Sequence, residues 1–478
     1  MLSPKIKLVN RGQRQVGALL VSLVLAVSLL GVVGPSSASE VGSASTATKA
    51  AQVAQAKKWR PQAGAKFNVP RVGGERMYRL ENQVIAAINH AKPKTTIKMV
   101  MFSFDRTQVS DALIRAKRRK VRVQVILNGH EFPRAQRDLK RVLGPRTKVV
   151  KKRNKKGKVI SKKRVHRKNF FYQCKSSCRG DGDVQHSKFI LFEKAGAAKK
   201  VVMLGSLNMK MNGVKNQFND LLTINDSPKM YDKLRDIFRE MGHDRVLKDS
   251  YRLYRDGKKY QLEVMPFPRS KATAKTKWTP SRDPIIKALS KVKCKGARTN
   301  DGRTIIRVNM HAWDKSRGAL IANRFRDLYA KGCNVAISVG FAGAKVRNIF
   351  ATPTKRGRVP VRSTGFDTDG DQEIDLYSHD KILTINGHYG AKHDRKMVIT
   401  GSSNYQNGGQ YGDELIFRVF NSAIYRQYAD NWGYVWRNHT HGFSWSRTSA
   451  LRGGPTWVGP QYTLEDGLGT DSPEWRDE

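Results

Sequence analysis

Gln185-His186-Ser187-Lys188-Phe189-Ile190-Leu191-Phe192-Glu193 decides how this chain is read, together with Gly205-Ser206-Leu207-Asn208 shortly after it. The pattern occurs twice. The second copy is Ser378-His379-Asp380-Lys381-Ile382-Leu383-Thr384-Ile385-Asn386, followed by Gly401-Ser402-Ser403-Asn404. Residues two apart on a strand face the same side, so each His and its Lys point into one space. The apolar run behind them predicts a buried strand. Each Gly-Ser-x-Asn closes another apolar run, Val201-Val202-Met203-Leu204 or Lys396-Met397-Val398-Ile399-Thr400. That puts Ser and Asn at the end of a neighbouring strand. One His-x-Lys is what a histidine at a core edge looks like. Two copies with the same follow-on and the same turn predict a duplicated functional site.

The segments around each copy repeat in order. In the first half, strands are predicted at 97–104, 121–127 and 219–224, with helical spacing at 109–116 and 231–238. The second half repeats this with strands at 304–310, 335–339 and 413–417 and helices at 319–329 and 424–436. Strand, helix, strand in this rhythm predicts an α/β fold of two similar sandwich halves, related by pseudo-twofold symmetry. The expected division is an export signal at 1–38, a flexible basic linker at 39–68, halves at 69–250 and 265–445, and a tail at 446–478. Residues 149–168 are mostly basic and contain Gly157, which predicts a loop or exposed hairpin forming an anion-steering rim. Trp432 and Trp436, four apart, are assigned to the core.

The formal net charge is +51 over 478 residues, with 90 Lys and Arg against 39 Asp and Glu. Such a surface attracts nucleic acid, anionic membrane or acidic wall polymer, without choosing among them. No zinc-finger spacing occurs, and four cysteines are too few for a disulfide-dense scaffold. Lys5, Lys7, Arg11 and Arg14 precede an apolar run at 16–33, and Pro35-Ser36-Ser37-Ala38 offers a cleavage site. This predicts export, with a retained anchor as the alternative. Outside the cytosol Cys174 can bridge Cys178 and Cys294 can bridge Cys333; free buried thiols are the alternative.

Two histidines, two lysines and two asparagines make a cationic, donor-rich pocket that suits a phosphodiester. Lys188 and Lys381 neutralise the nonbridging oxygens as charge develops. Asn208 and Asn404 add donors, with Ser206 and Ser402 beside them as further phosphate ligands. One imidazole attacks phosphorus, and the other protonates the leaving alkoxide and then activates water or an alcohol. The scheme calls for no metal and no cofactor.

In these residues the chain resembles the phospholipase D superfamily in its two-motif, secreted bacterial form, over roughly residues 71–440. The family motif is His-x-Lys, four residues, Asp, followed by Gly-Ser-x-Asn. The resemblance implies His186 as nucleophile and His379 as acid/base. The family Asp is Glu193 in the first half and Asn386 in the second, and both are expected to support the site. His393-Asp394-Arg395-Lys396 has the wrong spacing, so His388 and His393 are assigned to the hairpin before the second Gly-Ser turn. The implied function is a secreted, monomeric phospholipase D acting on phospholipid headgroups. The alternatives are an extracellular metal-independent nuclease and a catalytically weak binder of anionic polymer.

Overall fold

The computed structural model describes residues 58–270, 272–273, 275–371 and 373–445. The expected export signal, the first part of the linker and the tail from 446 lie outside the described residues.

Two mixed sheets carry the fold. The first runs, edge to edge, Gly64–Phe67, Asp220–Ile224, Ala198–Gly205, Phe189–Ala195, Thr96–Met101, Arg122–Asn128 and Phe170–Cys174. The second runs Arg252–Asp256, Tyr260–Val264, Leu415–Val419, Lys392–Gly401, Lys381–Tyr389, Ile305–Trp313, Asn334–Ala342, Val361–Ser363 and His441–Gly442. From Asp220–Ile224 to Phe170–Cys174, the order matches that from Leu415–Val419 to Val361–Ser363. Parallel and antiparallel pairings match too. Thr96–Met101 lies parallel to Arg122–Asn128 and antiparallel to Phe189–Ala195, as Ile305–Trp313 does to Asn334–Ala342 and Lys381–Tyr389.

The strands bury both faces, which explains their continuous apolar runs. Ile190 and Phe192 pack with Leu80, Val84, Leu113 and Leu139 from the helices outside the first sheet. Phe189 and Leu191 face the other way, into a cluster holding Leu234, Ile237 and Phe238 of the helix Pro228–Met241. That cluster also takes in Ile382, Val398, Leu415 and Phe417 of the second sheet, so one core is shared by the two sheets. Trp432 is buried as expected, whereas Trp436, stacked on it, is only half-buried; the Trp432 indole N–H donates to Val308 O (2.8 Å).

Two boundaries differ from the sequence reading. The linker expected to reach 68 ends sooner, because Gly64–Phe67 pairs antiparallel with Asp220–Ile224. That strand is a short, half-buried sheet edge, so its apolar signal is weak. The gap left between the halves, 251–264, is a hairpin, Arg252–Asp256 with Tyr260–Val264, that extends the second sheet through Leu415–Val419. The basic stretch is an exposed two-stranded hairpin, Thr147–Arg153 with Val159–His166. Cys174–Cys178 and Cys294–Cys333 are both disulfides. Among the described residues no helix is long and apolar enough to cross a membrane.

Candidate active site

Both His-x-Lys motifs lie in extended run-ins rather than inside regular strands. His186 and Lys188 precede Phe189–Ala195, and His379 falls between Tyr377–Ser378 and Lys381–Tyr389. All four side chains are at most 3% exposed. Each run-in is tied to the chain that carries the other motif. Gln185 bridges Asp413, and His186 N–H donates to Asp413 O (3.0 Å). Tyr377–Ser378 pairs with Gln217–Phe218, and His379 N–H donates to Phe218 O (2.9 Å).

The imidazoles are held across the same boundary. His186 Nδ1 is 2.8 Å from Glu414 Oε1, and His379 Nδ1 is 2.8 Å from Asn219 Oδ1. Asn219 Nδ2 donates to Gly213 O (3.1 Å) and its Oδ1 takes the Ser206 hydroxyl (3.0 Å). Asn219 Oδ1 is therefore an acceptor, and His379 carries its proton on Nδ1. The Glu414 carboxylate assigns the same tautomer to His186. In both rings Nε2 is then the nitrogen turned away from the orienting residue. Burial alone would push Glu414 up, but His186 and Lys188 outweigh it and hold the carboxyl below the usual carboxylate range. Neither Glu414 nor Asn219 was among the residues picked out from sequence.

The lysines fold back over their own histidines. Lys188 Nζ donates to His186 O (3.0 Å), and Lys381 Nζ to His379 O (2.9 Å). Lys381 Nζ is also 2.6 Å from His379 Nε2. An ammonium has no lone pair, so with Lys381 as the donor His379 Nε2 is the acceptor of that contact.

The Gly-Ser turns need their glycines because another strand passes against them. A Cβ on Gly205 would sit 2.3 Å from Asp220 O; one on Gly401, at φ +140°, would sit 2.2 Å from Leu415 O. The serines do not serve as phosphate ligands. Ser206 donates to Asn219 and Ser402 donates to Glu414 Oε2, so each hydroxyl proton is committed to the residue that holds a histidine. Asn208 Oδ1 accepts from Ser103 N (3.3 Å), and Asn404 Oδ1 from Ala312 N (3.3 Å). Asn208 Nδ2 is buried with no acceptor, a donor ready for an anionic oxygen.

Aromatic rings back the histidines. Phe102 lies edge-on to His186 (5.0 Å between centroids), stacks on His130 (4.2 Å) and lies under Lys188 Nζ (5.2 Å). In the second sheet His311 lies edge-on to His379 (4.6 Å) and packs on Phe341 (5.2 Å). Asp380 turns away from its neighbours, as the alternation of a strand predicts, and accepts from Asn309 Nδ2 (3.0 Å). Burial, and then Asp220, raise its pKa well above the ordinary value.

Glu193 and Asn386 are not in the site. Each lies seven residues along its strand from the histidine, about 23 Å at the usual rise. Glu193 faces the neighbourhood of Lys98 and Tyr231, and Asn386 hydrogen-bonds Tyr425. Both therefore meet the first turn of the helix that closes their sheet. The support expected of them comes from Asn219 and Glu414 instead. His388 and His393 also sit away from the site, packed against each other with tilted rings (3.9 Å between centroids) and bonded to Lys295 O and Gly296 O.

Among the described residues two groups have the donor spacing for a cation, and neither contains a motif residue. One is Asp367, Asp369 and Asp375, on the loop before Tyr377–Ser378. The other is Cys174, Cys178 and Asp244, in which the sulfurs are joined as a disulfide.

Residues 84–242 match the family model described as cardiolipin synthase, PLD-like domain. The match indicates a phospholipase D-superfamily fold and covers a part of the chain holding only the first motif. No curated protein matches. Among solved structures, phosphatidylserine synthase of Haemophilus influenzae Rd KW20 aligns at 13% identity over 83% of this chain and 92% of that one, with a TM-score of 0.47. Polyphosphate kinase of Porphyromonas gingivalis aligns at 13% identity over 77% of this chain, with a TM-score of 0.46; the chain spans 50% of that protein's length. The phospholipase D family member Nuc of Salmonella typhimurium aligns at 18% identity over 37% of this chain and 93% of that one, with a TM-score of 0.25. Superpositions this loose carry no argument about chemistry.

Proposed function

We propose that the chain is a phosphodiesterase in which His186 and His379 act on one phosphodiester, from two halves related by a pseudo-twofold axis. The observation that carries this reading is the reciprocal support of the two histidines: Glu414 holds His186 and Asn219 holds His379, each across the boundary between halves. The repeated strand order and the paired backbone contacts of Asp413 and Phe218 support the same symmetry.

His186 is the nucleophile in this reading. Its Nε2 lone pair attacks phosphorus, the bond from phosphorus to the leaving oxygen breaks, and Glu414 stabilises the positive charge gained by the ring. His379, once protonated at Nε2, gives that proton to the leaving alkoxide. Water then attacks phosphorus, its proton passes to His379, and the P–N bond breaks. Lys188, Lys381, Asn208 and Asn404 stabilise the nonbridging oxygens. A bound phosphate draws Lys381 Nζ off His379 Nε2, which frees that nitrogen for proton transfer.

The surface weighs against phospholipid as first substrate. A membrane-facing mouth should expose a rim of Trp or Phe, and the exposed large apolar residues among those described are Val72, Phe132, Val149, Val150, Ile160 and Leu320. One aromatic ring is not a rim. A basic exposed hairpin favours nucleic acid as the second reading. Export remains the proposed context, supported by the two disulfides, and both half-sites in one chain support a working monomer.

Hydrolysis of bis(p-nitrophenyl) phosphate in the presence of EDTA tests the reaction class. Steady-state turnover that is lost in both His186→Asn and His379→Phe, with folding intact by circular dichroism, is the expected outcome. Chelation that abolishes turnover reversibly would contradict it.

A further inference from the structure

The hairpin Thr147–Arg153 with Val159–His166 pairs with no other strand among the described residues. Residues 147–168 hold nine lysines and three arginines and no acid. Nearly every residue of both strands is exposed. On a two-stranded ribbon successive side chains alternate between faces. Lys151, Arg153, Lys162 and Arg164 therefore share one face, and Lys148, Lys152 and Lys163 the other. Lys151 stands directly opposite Lys162, a like-charge pair that destabilises the ribbon. An isolated hairpin is marginal on its own in any case. Nothing in this chain offsets that repulsion with a carboxylate from within the hairpin.

A polyanion that flanks the ribbon on both sides would offset it. A bilayer offers charge on one side only. The exposed apolar residues also fit a bilayer poorly: Val149 (52% exposed) and Val150 (45%) are adjacent and so point to opposite faces. No Trp, Tyr or Phe lies between 147 and 168 to anchor at a lipid interface. The major groove of a double helix, by contrast, admits a two-stranded ribbon between two rows of phosphates.

We infer that this hairpin is a docking arm for double-helical nucleic acid, lying in a groove with cations on both faces against the two phosphate backbones. Its base is fixed beside the edge strand Phe170–Cys174, where Arg167 N–H donates to Arg146 O (2.9 Å) and Phe171 N–H to Gly144 O (2.9 Å). The helix Arg134–Leu143, just before it, exposes Arg134, Arg137, Lys140 and Arg141 and extends the same charge toward that base. Phe170, where the arm is rooted, is level with Leu191 through Gln124 and Lys98, so it stands three strands, about 14 Å, across the sheet from that strand and about 17 Å along it from His186. Each hairpin strand spans about 23 Å. The arm and the histidines are thus within reach of one duplex. Delivery of that duplex to the histidines rests on the reading of the site given above; the docking itself does not.

The test measures binding of a short labelled DNA duplex to the full chain by fluorescence anisotropy, between about 50 and 200 mM salt. The variant K151Q/K152Q/K162Q/K163Q removes four hairpin charges. A control, K287Q/K291Q/K293Q/K295Q, removes four exposed charges from the other half. The hairpin variant should bind at least about tenfold more weakly, with a salt slope shallower by about 3 to 4, and the control should keep the wild-type slope. Equal losses in the two variants, or wild-type binding by the hairpin variant, would overturn the proposal. So would a hairpin variant that loses binding to phosphatidylserine vesicles and keeps the duplex. Hydrolysis of bis(p-nitrophenyl) phosphate by the hairpin variant should match wild type. If the wild-type chain fails to hydrolyse that diester, the reading of the site fails while the binding comparison still decides the arm.

Discussion

His186 Nδ1 lies 2.8 Å from Glu414 Oε1, a carboxylate that reaches it from the other sheet. The pair is buried, and Ser402 fixes the second carboxylate oxygen. Glu414→Gln keeps the shape and removes the charge that stabilises the ring as it becomes cationic. Turnover on a soluble phosphodiester should fall by about 10²-fold or more, by analogy with loss of the carboxylate behind a catalytic histidine. KM should change little, because Glu414 is behind the ring and not against the substrate. Steady-state kinetics on the purified variant checks both.

His379 has an amide where His186 has a carboxylate. Asn219→Asp places a negative charge beside the ring that must be protonated to serve as the acid. The protonated form is lost as pH rises, so activity on an unactivated diester has an alkaline limb. With Asp at 219 that limb should move to higher pH. A pH profile of kcat for the two proteins measures it, and a limb that stays put would count against His379 as the proton donor.

The motifs were legible because the residues that define them are local. His-x-Lys needs one strand and Gly-Ser-x-Asn needs one turn, and both turns sit where the apolar runs put them. The orienting residues were not legible because they pair across the boundary between halves. Asn219 and Glu414 stand at the starts of buried strands, roughly a dozen residues after each Gly-Ser turn. A polar residue opening an apolar strand at the same place in both copies was the available signal. Glu193 and Asn386 misled because the family motif carried them, although seven residues of extended chain already put each about 23 Å from its histidine. Ser206 and Ser402 misled similarly: motif position put them near phosphate, but their protons go to Asn219 and Glu414.

Asp413 carries the backbone oxygen that anchors His186, and its own carboxylate is buried. Burial pushes its pKa up from 3.8 to about 6, against the pull of Arg179, Ser177 and the Cys178 N–H. A carboxyl with a raised folded pKa binds more protons folded than unfolded between those two values. Stability from this group therefore falls as pH rises from about 4 to about 6 and is level above. Relative to Asp413→Asn, the wild type should lose on the order of 2 to 3 kcal/mol across that window. Urea unfolding of both proteins at pH 4, 5, 6 and 7 reads it out.

The two disulfides close loops of different size. Cys294–Cys333 spans 39 residues and Cys174–Cys178 spans 4. Loop-closure entropy gives about 4 kcal/mol for the first and about 2 kcal/mol for the second. C294A/C333A should therefore lower the urea midpoint more than C174A/C178A. The reverse order would show that Cys174–Cys178, at the end of the strand next to Asn128, holds structure that its short loop does not reveal.

The central claim is that phosphorus passes through a bond to His186 and that His379 manages the proton. p-Nitrophenolate departs without needing a proton, so with bis(p-nitrophenyl) phosphate the His379→Phe variant can still complete the first step. It should release a burst of about one nitrophenolate per enzyme and then stall, because the water of the second step lacks its base. Mass spectrometry of the protein, quenched under mildly alkaline conditions in EDTA, should locate a nitrophenyl phosphoryl group on His186, absent when His186→Asn is added. A burst with the adduct on another residue, or steady hydrolysis with no burst and no adduct, would contradict the account.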